Sequence, residues 1–180
     1  MLDEGLDPTG LISNDVKLDS MINAYGSSGV IFFFPSGDYL FNQTIHLSSN
    51  QILKGDGMNQ TQLIFDLGGT GDAIKISGSI DNSNVFELLL DANRGQYYIV
   101  SDDAETLSGG DWIKIYQNDD DLVTSSWALN SVGQIIRVDQ ILGDTIYLRS
   151  PLRMDFEMMR SPKFKRIQME SNVGIECLKI

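Results

Sequence analysis

Four consecutive oxygen-bearing side chains, Asn118-Asp119-Asp120-Asp121, form the densest group of potential ligands in the chain. Several oxygens on one short loop suit a hard cation, so Ca2+ is the metal to weigh here. The run lacks the spaced ligands and the glycine of an EF-hand loop, and acidic loop tips are ordinary, so no metal ligand is assigned. His46, the only histidine, sits in the strand-like Thr44-Ile45-His46-Leu47 and reads as an outward or satisfied side chain rather than a base. The single cysteine, Cys177, excludes an internal disulfide and a Cys-rich zinc site. There is no phosphate-binding glycine loop, no Ser-His-Asp order and no Cys-His pairing, so no cofactor is expected.

Carboxylates are plentiful, and two of them could act as acid and base on a glycosidic bond. That chemistry needs separations of ~5–5.5 Å or ~6.5–9.5 Å. Strands stacked ~4.8 Å apart would supply such a pair only from residues about one structural period apart. Apolar runs recur at 22 residues, from Val30 to Ile52, Ile52 to Ile74 and Leu63 to Val85. Adding that interval carries Asp66 to Leu88, Asp72 to Arg94 and Asp56 to Gly78, while Glu87 falls back on Phe65. No stacked acid pair emerges, and the catalytic residues stay unknown.

Positive charge is unevenly placed. Arg149, Arg153, Arg160, Lys163, Lys165 and Arg166 are six of the thirteen basic residues. In an acidic protein such a cluster could suit an anionic sugar, but a solvated face or pairing with the insert's aspartates is the stronger reading. Tyr97, Tyr98, Trp112 and Trp127 could stack on sugar rings. Trp112 lies within an apolar strand and reads as core, whereas Trp127 follows Ser125-Ser126 and reads as surface. Trp127, Arg149 and Arg153 are therefore the candidate carbohydrate contacts.

The elements that would position these residues can be read from periodicity. Asp7-Pro8-Thr9-Gly10 reads as a turn within residues 1–13. Asn14 or Asp15 can cap a helix whose stripe is Leu18, Met21, Ile22 and Tyr25, with Gly26 as its stop. Val30–Phe34, five apolar residues closed by Pro35-Ser36-Gly37-Asp38, reads as a strand buried on both faces. Short strands follow at Tyr39–Phe41, Ile45–Leu47, Ile52–Lys54, Leu63–Phe65, Ile74–Ile76 and Val85–Leu90. A period in the twenties built of short strands is a β-solenoid signature, the alternative being a β-sandwich. The amphipathic helix is placed to cap the open end of such a stack. From Tyr97 the strands lengthen to Asp111–Gln117, Gln134–Leu142 and Thr145–Arg149, with a hairpin turn at Leu142-Gly143-Asp144-Thr145. This reads as an inserted antiparallel subdomain, the solenoid resuming at Phe164–Met169 and Gly174–Ile180.

Composition bounds the partners. The 180 residues carry a formal net charge of −12, which disfavours nonspecific nucleic-acid binding and anionic membranes. Five consecutive apolar residues are far short of the ~20 needed to cross a bilayer, so no membrane insertion is expected. Met1-Leu2-Asp3-Glu4 has no signal-peptide character, and the export signal of an exported parent is expected outside this chain.

The opening residues resemble the N-terminal part of the right-handed parallel β-helix proteins of the pectate-lyase superfamily. The resemblance rests on Gly10, Asn14-Asp15, Ser28-Gly29-Val30, Pro35-Ser36-Gly37-Asp38-Tyr39 and Leu53-Lys54-Gly55-Asp56-Gly57. Departures are Ser28 for a glycine, and Leu18 and Met21 where small residues are common. Gly110-Asp111-Trp112, Val132-Gly133-Gln134 and Asn172-Val173-Gly174-Ile175-Glu176 are similar to members with an inserted β subdomain. The resemblance implies a mainly β fold, a right-handed parallel β-helix whose N-terminal coils carry a capping α-helix, plus a small inserted antiparallel β subdomain. It divides the chain into cap and first coils at 1–96, insert at 97–162 and a truncated re-entry at 163–180. The implied parent is extracellular or periplasmic and carbohydrate-active, a polysaccharide lyase or glycosidase with its active site outside this chain. The alternative is a non-catalytic carbohydrate-binding or adhesive, tailspike-like β-helix. Its partner would be a polysaccharide or glycan; oligomeric state is not indicated.

Overall fold

The computed structural model describes residues 5–25 and 28–180. Met1–Glu4, and the helix stop expected at Gly26, lie outside the described residues. The chain is mainly β and forms two compact units, Met1–Gly78 with Glu170–Ile180, and Ser79–Met169.

The first unit opens with β1 (Thr9–Ser13), a strand where the sequence reads as a turn; it pairs in parallel with the strand at Gly37–Phe41. Helix α1 (Asp15–Tyr25) follows, with Leu18 buried and Met21 and Ile22 partly buried against the same core. The expected side-chain cap is put to other uses. Asn14 is fully buried, its Oδ1 accepts the Asp7 N–H at 2.7 Å, and its Nδ2 donates to the Asp7 carbonyl at 3.0 Å. The Asp15 carboxylate accepts the N–H groups of Asn42 and Gln43 at 3.0 and 3.2 Å. Both residues tie the helix start to neighbouring chain.

Strands β2 (Val30–Phe34), β3 (Gly37–Phe41), β4 (Ile45–Leu47), β5 (Gln51–Gly55), β6 (Thr61–Phe65) and β7 (Ile74–Ile76) pair in parallel: β2 with β5, β3 with β6, β4 with β7. Alternation along each strand turns Phe32, Phe34, Tyr39, Phe41, Ile45, Leu47, Leu53 and Leu63 into one core. Each such side chain contributes on the order of 1.5–3 kcal/mol on burial. Register stacks like on like: Phe32 faces Leu53, Tyr39 faces Leu63, and the rings of Phe41 and Phe65 stack with centroids 5.5 Å apart. Val30–Phe34 is not buried on both faces, since Ile31 is 56% exposed.

The 22-residue interval also needs correction. Partners are offset by 21 residues for Val30 and Gln51, 24 for Gly37 and Thr61, and 29 for Ile45 and Ile74. The turns between strands differ in length, so a constant spacing of apolar runs does not give the true pairing. Ile74 accordingly faces Ile45 rather than Ile52.

The second unit contains β8 (Ser79–Ile80), β9 (Phe86–Glu87), β10 (Tyr98–Val100), β11 (Trp112–Tyr116), β12 (Gly133–Leu142), β13 (Thr145–Leu148) and β14 (Lys163–Gln168). They form a seven-stranded antiparallel sheet in the order β10-β13-β12-β11-β14-β8, with β9 also on β14. The β12–β13 hairpin turns at Gly143, as its sequence suggests. Ile113, Ile115, Ile136, Val138, Phe156 and Phe164 build a separate core. Two expectations fail here. Val85–Leu90 is not a solenoid strand, and 163–168 is not the resumption, because Phe164 alternates into this core and β14 pairs antiparallel with β11, β8 and β9. The unit is thus wider than 97–162 at both ends.

The parallel ladder resumes only at β15 (Gly174–Glu176), which lies beside β5 and completes the order β15-β5-β2. Glu170 accepts from the Ser49 hydroxyl at 2.6 Å, and Asn172 donates to Asn50 at 2.9 Å, both asparagines holding a left-handed backbone. Gly55 is needed where these strands close up: a Cβ there would lie 2.6 Å from the Cys177 carbonyl and 2.9 Å from Leu178 Cβ. Gly57, two residues on, has nothing within 4 Å of its Cβ position.

Candidate functional site

The acidic loop is occupied with its own structure. Asp119 is buried, and its two oxygens accept the N–H groups of Asn130 at 2.7 Å and Val132 at 2.9 Å. These backbone donors, Val132 first, hold its carboxyl below the usual carboxylate range. Asp121 makes a two-pronged pair with Arg160 at 2.7 and 2.9 Å, and that guanidinium lowers its pKa likewise. Among the described residues no three His, Cys, Asp or Glu side chains are gathered to hold a metal ion. Asp119 serves to fold residues 118–132, and Asp121 pins the loop to Arg160.

In the first unit, an open, polar cleft of about 370 Å³ is lined by Asp19, Asn42, Gln43, Thr44, His46, Leu67 and Thr70. His46 is exposed on β4, in register with Lys75. Among the described residues no hydrogen bond or ion pair links His46 to Asp19, and no paired strand position sets one carboxylate against another.

The basic cluster resolves mostly into ion pairs. Arg149 faces Asp139 at 3.6 Å, Arg160 faces Asp121 and Glu157, Lys163 faces Glu87 at 3.3 Å, and Arg166 faces Asp111 at 3.4 Å. Arg153 and Lys165 have no carboxylate partner among the described residues. Arg153 is exposed, its backbone N–H bonded at 2.8 Å to Gln134. Trp127 is 88% exposed on a single helical turn, Ser126–Ala128, three residues before the Asn130 held by Asp119. No contact among the described residues joins Trp127 to Arg149 or Arg153.

What sequence reasoning missed is a pocket of about 110 Å³ lined by Ile80, Asn82, Lys114, Tyr116, Asn130 and Lys165. Lys114 and Lys165 face each other directly across β11 and β14. Their ammonium groups stand 5.7 and 5.4 Å from the centre of the Tyr116 ring. The signal was faint, because the two lysines are 51 residues apart and only the strand register unites them.

Short parallel ladders, a single α-helix and a separate antiparallel unit define a mainly β protein among the described residues. The chain belongs to the family of rhamnogalacturonase A/epimerase, pectate lyase-like proteins, whose profile matches residues 1–110. No curated protein sequence matches it. In fold it is similar to the Gp54 tailspike of Acinetobacter baumannii bacteriophage AP22, solved in complex with A. baumannii capsular saccharide. That likeness has a TM-score of 0.70 at 15% identity, covering 94% of this chain and 27% of that one. It is similar also to the tailspike gp49 of Pseudomonas phage LKA1, at TM-score 0.65 and 19% identity over 96% of this chain and 33% of that one. The Pseudomonas phage phi297 tailspike gp61 gives TM-score 0.65 and 15% identity, over 98% and 32%. The chain thus spans about a third or less of the length of these structures.

Proposed function

We propose that this chain is a polysaccharide-holding segment of a right-handed parallel β-helix protein, one that binds glycan without itself completing a catalytic site. The observation that supports it best is that the family match over residues 1–110 includes all the strands of the parallel ladders before β15. Parallel pairing of each strand with one lying a full turn of chain later is the pattern a β-helix requires. A capsular saccharide bound to one structural neighbour supports glycan as the partner class. The domain reading that accompanies this is a cap and opening coils, an inserted antiparallel subdomain and a return to the helix. In the parent, extracellular or periplasmic, cleavage by a lyase or glycosidase would fall to residues outside this chain. Trp127, fully presented to solvent, would offer a stacking face, with Arg149 and Arg153 as polar contacts.

Affinity electrophoresis of the full chain through gels containing a bacterial capsular polysaccharide, a pectic polysaccharide or a neutral glucan tests this. Retardation by at least one polysaccharide is expected, with no release of new reducing ends or unsaturated products. Unretarded migration in every gel overturns the glycan reading, and product formation overturns the non-catalytic part.

A further inference from the structure

Three candidates stand out beyond the contacts already named: the cleft beside His46, the acidic loop and the Lys114–Lys165 pocket. In the first, nothing links His46 to Asp19 among the described residues, and in the second Asp119 and Asp121 are already bonded. The third carries an argument of its own.

Directly opposed like charges on neighbouring strands disfavour a sheet, yet β11 and β14 set Lys114 against Lys165. Alternation places Tyr116, Lys163 and, across β12, Arg137 on the same face. Lys163 is paired with Glu87, and Arg137 donates through Nε to the Gly110 carbonyl at 3.1 Å. Lys114 and Lys165 instead have only neutral partners among the described residues. Lys114 donates to the Asn130 carbonyl at 2.9 Å and Lys165 to the Asn82 side-chain oxygen at 3.0 Å. One bond each leaves further N–H donors on both ammonium groups. The Tyr116 ring attracts both cations but cancels neither charge. In a chain of net charge −12, two converging cations without an acid between them are an unfilled electrostatic requirement.

We propose that this pocket binds the carboxylate of an acidic sugar residue, held between Lys114 and Lys165. Asn82 and Asn130, both lining the pocket, would offer hydrogen bonds to the sugar's hydroxyls. The cavity of about 110 Å³ suits a small charged group with the remainder of the sugar outside. Trp127 precedes Asn130 by three residues, a span of at most ~11 Å, so a stacking surface stands near the charge clamp. Asp119 holds the Asn130 end of that span through its N–H. This inference rests on the glycan reading above and deepens it by naming the charge class of the polymer and where it is anchored.

Isothermal titration of the full chain with a uronic acid trisaccharide, its methyl ester and a neutral trisaccharide tests the site. The free acid is expected to bind at least tenfold tighter than the ester, with affinity falling as salt rises. Lys165→Gln and Lys114→Gln should each lose tenfold or more, while Lys165→Arg retains most of the binding. The thermal midpoint of Lys165→Gln should equal or exceed that of the parent, since a like-charge contact has been removed; this separates lost binding from lost fold. Equal binding of acid and ester, or unchanged affinity in both glutamine variants, overturns the pocket and leaves glycan binding standing. Binding of the neutral trisaccharide alone has the same meaning. No binding of any trisaccharide, together with no retardation in any polysaccharide gel, overturns both.

Discussion

Asp119 shows how a residue that looks like a metal ligand can be a structural clamp. Its oxygens close the loop from 118 to 132 on the Asn130 and Val132 N–H groups, which otherwise have no carboxylate to meet. Replacing it by alanine is expected to lower the thermal midpoint and to raise amide exchange across residues 122–132. Added Ca2+ should not restore the midpoint, and a restored midpoint would return the loop to metal binding. The pH dependence follows from the depressed pKa. Because the folded value lies below the ordinary carboxylate value of ~3.9, the clamp is fully present above that pH. It is lost as pH falls through the lower folded value, and the same holds for Asp121 on Arg160. In an acid titration followed by loop exchange, the parent should lose protection in that window and Asp119→Ala should show a smaller change. Trp127 poses the opposite case: at 88% exposure its replacement by alanine should leave the midpoint unchanged and weaken glycan retardation several-fold. A Trp127→Ala chain that migrates like the parent would remove it from the binding surface. Its exposure was legible from the serines before it, as was the richness in basic residues between 149 and 166. The pairing of four of those six with acids, and the convergence of Lys165 on Lys114, were not, because both depend on cross-strand register.

At the scale of elements, β5 is the strand on which the first unit depends, lying between β2 and β15. Its glycine was recognisable within Leu53-Lys54-Gly55-Asp56-Gly57, and the structure supplies the cause. A Cβ at Gly55 would lie 2.8 Å from Thr61 Cβ and 2.6 Å from backbone oxygen, so neither neighbour can yield cheaply. Gly55→Ala should therefore cost about 1–3 kcal/mol, as overpacking does. Gly174→Ala meets only Ile52 side-chain atoms at 3.8 Å and should stay within about 0.5 kcal/mol of the parent. Urea unfolding of the two variants makes the comparison, and equal midpoints would mean the strands part easily at β15. Strands β2 to β7, the helix and the hairpin were legible from apolar runs and turn residues, whereas β1 was read as a turn. Their partners were not: loops of unequal length shift the offsets to 21, 24 and 29 residues, and a uniform 22 conceals this.

At the scale of the whole molecule, the chain leaves its parallel ladder after β7 and returns to it at β15, building a second core in between. The insertion was visible in the lengthened strands after Tyr97, but its edges were not. Ser79–Ile80 and Phe86–Glu87 are too short to declare a partner, and only pairing with β14 assigns them. Two cores without a shared residue predict separable stability. Phe41 and Phe156 are each fully buried, one per core, and truncating either to alanine should cost about 3–5 kcal/mol in its own unit. Hydrogen exchange can locate that loss. In Phe41→Ala, protection should fall across β2 to β6 and, some 130 residues away in sequence, across β15, because β15 is held through β5. Strands β11 to β14 should keep their protection. Phe156→Ala should reverse the pattern, exposing β11 to β14 while β15 stays protected. If each variant instead loses protection evenly from β2 to β15, the two cores unfold as one cooperative body, and a ladder interrupted by an independent unit is the wrong description of this chain.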